Sequence, residues 1–555
     1  MAEKLMLKRN YNLRQSRERL CDITAYFSCL LPAFESGFQC SRNDGPPSIT
    51  FAAYVGSSKM DARTIPNAAV TRPTIYKIYV LFMLLMAYLL NQLDRYMLSI
   101  VTKPMAQEIH YGDQSCLANM TQRHHAVHCS NKTTEQDCAS VPNNTCEWNY
   151  NGQGLQYELL AGPLFIVIYT LAGIPLGLWA DVYNRKKLLG VAVVFWSVMT
   201  ILMGLVNEYW QMAVLRFGLG IGEAGCTPFA TSLIADYFAT NHRALAIGLY
   251  NWGIYIGYSL SYAVGNFVVD ANILGQGWRW TYYISGIPGL LIGSLIFITV
   301  MEPERQVKRD TTDAADLQTL LGHRESEPTC CQKAKFVCKV FFKPSVMLLC
   351  LAGSVRNAAG YVWAYNTQVY YESIGESRAD IGRYMSWIPL AAGCVGVALG
   401  GFISDRVVKR VGPHARLGVL IISQIVAAPF VAGALFLSPP WAYISLIPGY
   451  VIGEMWIGIT LAVLVEVVPT PLRTLGVAVY LFIISNIGGN MPLVVSPLQR
   501  LFVQKGITRV DALRDALYIL YPGLYVLGAF LFLVTLLVLR RDMNRVQLSE
   551  YEEIS

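Results

Sequence analysis

Gly177-Leu-Trp-Ala-Asp181-Val-Tyr-Asn-Arg185-Lys186 and Gly401-Phe-Ile-Ser-Asp405-Arg-Val-Val-Lys409-Arg410 are one pattern written twice, 224 residues apart, each at the end of a hydrophobic run. A Gly followed by Asp and then by basic residues recurs in this setting when a chain holds two homologous halves. A second repeat agrees: Asp236 precedes Arg243 by seven positions, and Glu466 precedes Arg473 by seven, 230 residues on. Pseudo-symmetric membrane halves rock against each other and expose a central site alternately to each side, the architecture of a secondary transporter.

The 555 residues are 54% hydrophobic and 15% charged, too apolar for a soluble protein of this size. A span needs ~20 mostly apolar residues. Twelve such runs are expected, near 76–100, 157–180, 187–206, 211–237, 244–269, 279–301, 345–371, 382–404, 416–437, 441–467, 474–498 and 516–540. If the spans alternate, Arg185, Lys186, Arg243, Arg305, Lys343, Lys409, Arg410, Arg416, Arg473 and Arg540 fall on one side, which the positive-inside rule makes cytosolic. Both termini are then cytosolic. The net charge of +7 reads as topology and attraction to an anionic leaflet, not as nucleic-acid binding.

The expected organisation is a cytosolic tail over 1–74, a six-helix half over 75–301, a charged cytosolic linker over 302–343, a second half over 344–541 and a cytosolic tail over 542–555. The first half carries an outer loop, 110–156, holding Cys116, Cys129, Cys138 and Cys146 with sequons at Asn119, Asn131 and Asn143. An even cysteine count beside sequons predicts two disulfides in a glycosylated loop facing an oxidising compartment. A zinc site using His124, His125 and His128 is the rival, though no CxxC pair is present. No other metal and no cofactor is expected. Phosphate-binding Gly-rich loops and HExxH or GxSxG motifs are missing from any plausible setting, which disfavours a pump or an enzyme.

Charges inside spans are costly unless they face a polar cavity. Glu223, Arg356 and Glu454 fall near the centres of spans four, seven and ten. Arg216 precedes Glu223 by seven residues, ~10.5 Å along one helix face. Asp94 lies at similar height in span one and is expected to pair with Arg216, leaving Glu223 to exchange a proton. The bland alternative is a set of static packing ion pairs. In span five Asn251, Tyr255, Tyr258 and Tyr262 share one face, as do Asn357, Tyr361, Tyr365 and Gln368 in span seven; Tyr370 and Tyr371 read as an interfacial belt. The repeated loop is expected to be a conformational latch built from Gly177, Asp181, Arg185, Asp236, Arg243, Gly401, Asp405, Lys409, Glu466 and Arg473. Its two glycines would permit close helix approach.

With Leu90-Asn91-Gln-Leu-Asp94-Arg95, Arg216-Phe-Gly-Leu-Gly-Ile-Gly222-Glu223-Ala224, Pro228, Leu233-Ile-Ala-Asp236-Tyr-Phe238, Trp278-Arg279-Trp280 and Pro288-Gly289, the chain resembles the major facilitator superfamily from Tyr76 to Arg541. Within it the motifs are most similar to the spinster-like transporters. The resemblance implies an all-α membrane protein of twelve transmembrane helices in two six-helix halves. It puts spans one, four, seven and ten around the cavity, so that Glu223, Arg356 and Glu454 stand where a substrate would bind, with Asp94, Arg95 and Arg216 as further candidates for the substrate and proton pathway. It also implies a bilayer-embedded monomer in the plasma or lysosomal/endosomal membrane, moving a lysolipid or sphingolipid type of solute with protons. The Cys-rich loop and long amino-terminal tail depart from the spinster pattern. Two rivals stay open: an organic-anion or sugar-acid symporter, and a non-transporting receptor that uses the outer loop.

Overall fold

The computed structural model describes residues 73–118, 129, 132, 134–141, 145–238, 240–303, 340–412, 414–469 and 473–554. The chain divides into two units. Of Met1–Val80 with Gln318–Lys339, only residues 73–80 are described, and they begin the first long helix. Leu81–Leu317 with Val340–Ser555 carries everything that follows.

Among the described residues, ten helices are long and apolar enough to cross a membrane: Thr74–Ile109, Leu155–Gly177, Arg185–Met203, Arg279–Thr299, Pro344–Ser373, Arg378–Val411, Ala415–Phe436, Trp441–Val467, Gly476–Gln504 and Arg509–Arg541. Between the third and fourth of these run two more helical stretches. Tyr209–Ala224 and Cys226–Tyr237 form one, divided at Gly225 into pieces too short to span singly. The other, Thr240–Ala271, carries Asn251, Tyr255, Tyr258, Tyr262 and Asn266, which lower its hydropathy. Among the described residues the layout is therefore twelve segments, numbered here one to twelve in chain order.

Several segments are broken, and Gly or Pro stands at the breaks, where the backbone can leave the helix. Segment two divides at Gly162-Pro163, segment eight before Pro389, and segment eleven at a 3-10 turn, Met491–Val494, containing Pro492. Segments four and ten both break ahead of a closing helix of 12 residues. Glu223 sits in the last turn before Gly225, and Glu454 follows the helix Trp441–Gly453. Interrupted helices expose backbone polar groups at membrane depth, which is tolerated where they meet protein or line a cavity.

Segment one is 36 residues long, ~54 Å at 1.5 Å per residue, which exceeds a ~30 Å hydrocarbon layer. Its last turns carry a small insert. The insert is a two-stranded antiparallel ribbon, β1 (Gln114–Ala118) and β2 (Cys146–Tyr150), with Gln114 opposite Tyr150 and Ala118 opposite Cys146. A five-residue helix, Glu135–Ala139, is capped by the Thr134 hydroxyl, which accepts the Asp137 N–H at 3.2 Å. Disulfides Cys116–Cys138 and Cys129–Cys146 tie ribbon to helix, and all four cysteines are buried. With every sulfur so engaged, the zinc alternative is set aside.

Within each half the helices pack closely; segments three and six do so through Gly190 and Gly293. A Cβ at Gly190 would lie 2.9 Å from the Phe297 Cβ, and one at Gly293 would lie 2.9 Å from Val194, so small residues set the approach. The halves meet along two seams, segment five against eight and segment two against eleven.

Candidate functional site

In the first half, Arg95 on segment one donates from Nη2 to Glu223 Oε2 at 3.4 Å, both side chains buried. The Arg95 guanidinium lies over the rings of Phe165 and Tyr169, 5.1 and 4.6 Å from their centroids. Asp94 and Arg216 do not form the expected pair. Asp94 Oδ2 accepts the Thr200 hydroxyl at 3.0 Å, and Arg216 donates from Nε to the Leu160 carbonyl at 3.2 Å. Neighbouring residues on a helix point ~100° apart, so Asp94 turns to segment three while Arg95 turns to segments two and four. Arg216 packs on Phe165, 4.9 Å to the centroid, and its Nη2 has no hydrogen-bond partner among the described residues.

The second half repeats this theme with a firmer anchor. Segment ten ends its first helix at Gly453, which frees a carbonyl for Arg356 Nη2 at 2.9 Å. The same nitrogen reaches Glu454 Oε1 at 3.1 Å and the Tyr525 hydroxyl at 2.9 Å, while Nε donates to Gln424 Oε1 at 2.6 Å. Arg356 also lies 4.1 Å from the Tyr525 ring centroid. Asn357 turns the other way and donates to the Ile484 carbonyl at 2.9 Å.

Tyrosines join the two clusters. Tyr255 donates to Glu454 Oε2 at 3.4 Å, carrying segment five into the second half's cluster. Tyr96 contacts Tyr258 edge-on at 4.7 Å and Tyr365 at 5.8 Å; Tyr361 stacks on Tyr365 at 6.1 Å, and Tyr258 meets Tyr262 at 5.3 Å. The stripes on segments five and seven thus face each other across the halves, although Asn251 is exposed. Tyr370 and Tyr371 do not form a belt: both are buried and donate to the Leu435 and Ala434 carbonyls at the end of segment nine.

On the side of the 302–343 linker, every ion pair among the described residues stays within one half. Arg185 holds Asp236 and Glu302, each at 2.7 Å, and Arg416 holds Asp405 and Glu466, each at 2.9 Å. Each repeat is therefore organised by an arginine opening its third helix, and Arg416, read from sequence as a topology signal only, is the second hub. Arg243 turns away from Asp236 and donates to the Ala235 carbonyl at 2.6 Å. Among the described residues, no atom lies within 4 Å of a Cβ placed at Gly177 or Gly401. Lys409 is exposed. The side chains of Asp181 and Arg473, and the sequons at Asn119, Asn131 and Asn143, lie outside the described residues.

On the insert side the halves are bridged repeatedly. Lys103 meets Glu372 at 3.6 Å, Arg378 donates to the Ile100 carbonyl at 3.3 Å, and Asn266 and Gln368 exchange hydrogen bonds of 3.2 and 2.8 Å. Asp113 pairs with Arg500 at 2.9 Å, and Arg509 donates to the Gln114 carbonyl at 2.9 Å. Glu158 accepts the Ser496 N–H at 2.9 Å. Trp278 and Arg279 close the end of segment one through Glu108, at 2.6 and 2.8 Å. A cavity of about 750 Å³, lined by Lys103, Glu108, Asp113, Glu372, Arg378 and Arg500 among others, lies under the insert, away from the mid-span clusters. Glu158, Glu372 and Gln424 were not singled out from the sequence; a carboxylate or amide inside an apolar run was the signal available for each.

The Major Facilitator Superfamily family model matches residues 84–491. The chain is 27% identical over 417 residues to protein spinster homolog 1 of Xenopus laevis, across 70% of this chain and 75% of that protein. It is 26% identical over 410 residues to the sphingosine-1-phosphate transporter SPNS2 of Danio rerio, across 69% of this chain and 77% of the relative. Its fold is similar to that of a bacterial homologue of the human lysosomal transporter spinster, solved inward-facing and unoccupied, with a TM-score of 0.63, 22% identity, and coverage of 85% of this chain and 99% of that one. A D-xylose–proton symporter shares the fold at a TM-score of 0.59 and 16% identity, over 83% of this chain and 97% of the other. Twelve helical segments, repeated arginine hubs, opposed charge clusters at two helix breaks and this match over most of its length come together in one conclusion: the chain belongs to the Major Facilitator Superfamily of membrane transporters.

Proposed function

We propose that this protein is a proton-coupled secondary transporter for an amphipathic organic solute with an anionic or zwitterionic head, of the lysolipid or sphingolipid type, working by alternating access. The observation that carries the reading is the pair of buried acid–arginine contacts, Arg95–Glu223 and Arg356–Glu454, at matching helix breaks and joined by tyrosines. A carboxylate that gives up or takes a proton changes the hold on its arginine. The arginine can then trade that partner for a substrate phosphate or carboxylate. Arg216, buried with an unpartnered donor, supplies a further cation for such a head, and the rings suit an acyl chain or a long-chain base. The likeness to a sphingosine-1-phosphate transporter supports this substrate class.

We further assign the linker side to the cytosol and the disulfide-bearing insert to the outside. The conformation, bridged at the insert and, among the described residues, with its linker-side ion pairs confined to each half, is then inward-facing. The test is uptake into proteoliposomes of a lysophospholipid or sphingoid phosphate under an imposed proton gradient. Acid outside should drive accumulation in the wild type, and Glu223→Gln should retain binding while losing the response to the gradient. Uptake indifferent to pH in both would remove proton coupling. Competition by small soluble acids but not by lysolipids would favour the organic-anion reading.

A further inference from the structure

We propose that Glu158 is a proton-binding site of the outer gate, and that closing this gate takes up a proton there. The inference deepens the proton-coupled reading above and rests on its assignment of sides.

Glu158 stands in the short helix Leu155–Ala161, which opens segment two just before the break at Gly162-Pro163. Its carboxylate crosses the seam between halves. Oε1 accepts the Ser496 N–H at 2.9 Å in the first turn of the helix Val495–Gln504 on segment eleven. The side chain is buried, and Oε2 has no hydrogen-bond partner among the described residues. The two backbones are close here, since a Cβ on Gly162 would lie 3.7 Å from the Gly489 carbonyl oxygen. The charged groups around it are already committed. Arg500 and Asp113 pair with each other at 2.9 Å, and Arg216 on segment four donates to the Leu160 carbonyl. Asn490 and Ser496 contribute only neutral groups.

A bond from a helix N-terminus favours the charged carboxylate. Burying a carboxylate with one oxygen unsatisfied and no arginine or lysine bonded to it disfavours it more strongly, because the lost hydration exceeds what the neutral donors of Ser496 return. The closed gate is therefore better matched to a neutral carboxyl, which keeps the Ser496 bond through its carbonyl oxygen. When segments two and eleven part on the insert side, Glu158 meets water and its charged form is restored. Proton affinity is higher in the closed gate than in the open one, so by linkage acid on the outer face favours closure. For one proton the closed-to-open ratio changes by at most about tenfold per pH unit.

The experiment places spin labels through a ketone-bearing unnatural residue at Leu155 and Leu501. Both are well exposed, at 56% and 54%, and this chemistry leaves the native cysteines and disulfides intact. Distance distributions of the full chain in lipid nanodiscs are recorded from pH 5 to 8. The wild type should gain the short, closed-gate distance as pH falls. Glu158→Gln should hold the short distance at all pH values, and Glu158→Asp, which keeps the charge, should retain a pH response. A pH response unchanged in Glu158→Gln overturns the inference even if transport proves proton-coupled. A response abolished in Glu158→Gln sustains it even if transport ignores the gradient, in which case only the coupling reading falls.

Discussion

Arg356 shows why a single residue can hold a membrane half together. It serves a neutral amide, a freed carbonyl, a carboxylate and a phenol at once, and is 1% exposed. Breaking a buried pair from one side strands the other charge, at a cost of ~3–5 kcal/mol. Glu454 is 17% exposed, which places the loss at the lower end of that range. Arg356→Met should therefore lower the melting temperature of the purified protein markedly. Arg356→Lys should recover part of this, since an ammonium cannot reproduce the guanidinium fork; thermal unfolding followed by tryptophan fluorescence measures both. At this scale the sequence was partly legible. Glu223, Arg356 and Glu454 stood out because ionisable groups are rare at membrane depth. Which of two adjacent residues meets a neighbouring helix was not readable, so Asp94 was matched to Arg216 when Arg95 reaches Glu223 instead.

At the scale of elements, the repeated loop motif marks the ends of segments two and eight, and its ion pairs are centred on the arginines that open the next segments, one inside the motif and one just beyond it. Arg185 and Arg416 open segments three and nine and gather the acids of segments four and ten. Their environments differ, and so should their worth. Arg185 is 5% exposed against partners at 15% and 21%, whereas Arg416 is 15% exposed against partners at 67% and 38%. Pairs open to solvent contribute under ~1 kcal/mol, while shielded charge-assisted bonds contribute ~1.5–3 kcal/mol. Arg185→Ala should thus destabilise clearly and Arg416→Ala barely, in parallel chemical-denaturation or thermal-melt series. Comparable losses would mean that exposure is a poor guide here. Helix positions followed from hydropathy because a bilayer imposes length and apolarity. The breaks at Gly225 and Gly453 did not, because a Gly inside a span is as often a packing contact as an interruption.

Across the whole molecule the asymmetry of contacts between halves is the main finding. Bridges gather on the insert side, and among the described residues the linker side has ion pairs only within each half. The insert is part of this closure: Asp113 and Gln114 meet Arg500 and Arg509. Replacing residues 113–150 by a short polar linker should leave solute binding intact and shift the resting population towards the state open on the insert side. Equilibrium binding together with spin-label distances reads the two effects separately. A receptor working through the insert would lose its ligand response outright. Two-fold repetition was legible from the duplicated motif, since homologous halves keep similar signals at equal offsets. The docking of the insert was not, because its partners lie nearly 400 residues away and contribute no local pattern.

That separation bears on how the protein is made. Asp113 and Arg500 are 387 positions apart, and translation proceeds at ~5–20 residues per second. The Cys-rich ribbon therefore leaves the ribosome on the order of 20–80 s before the helices that receive it. Through that interval its two covalent crosslinks are what keep so small a fold assembled, so a cell lacking oxidising capacity at the site of membrane insertion should accumulate chains whose final hairpin has no shaped surface to seat against.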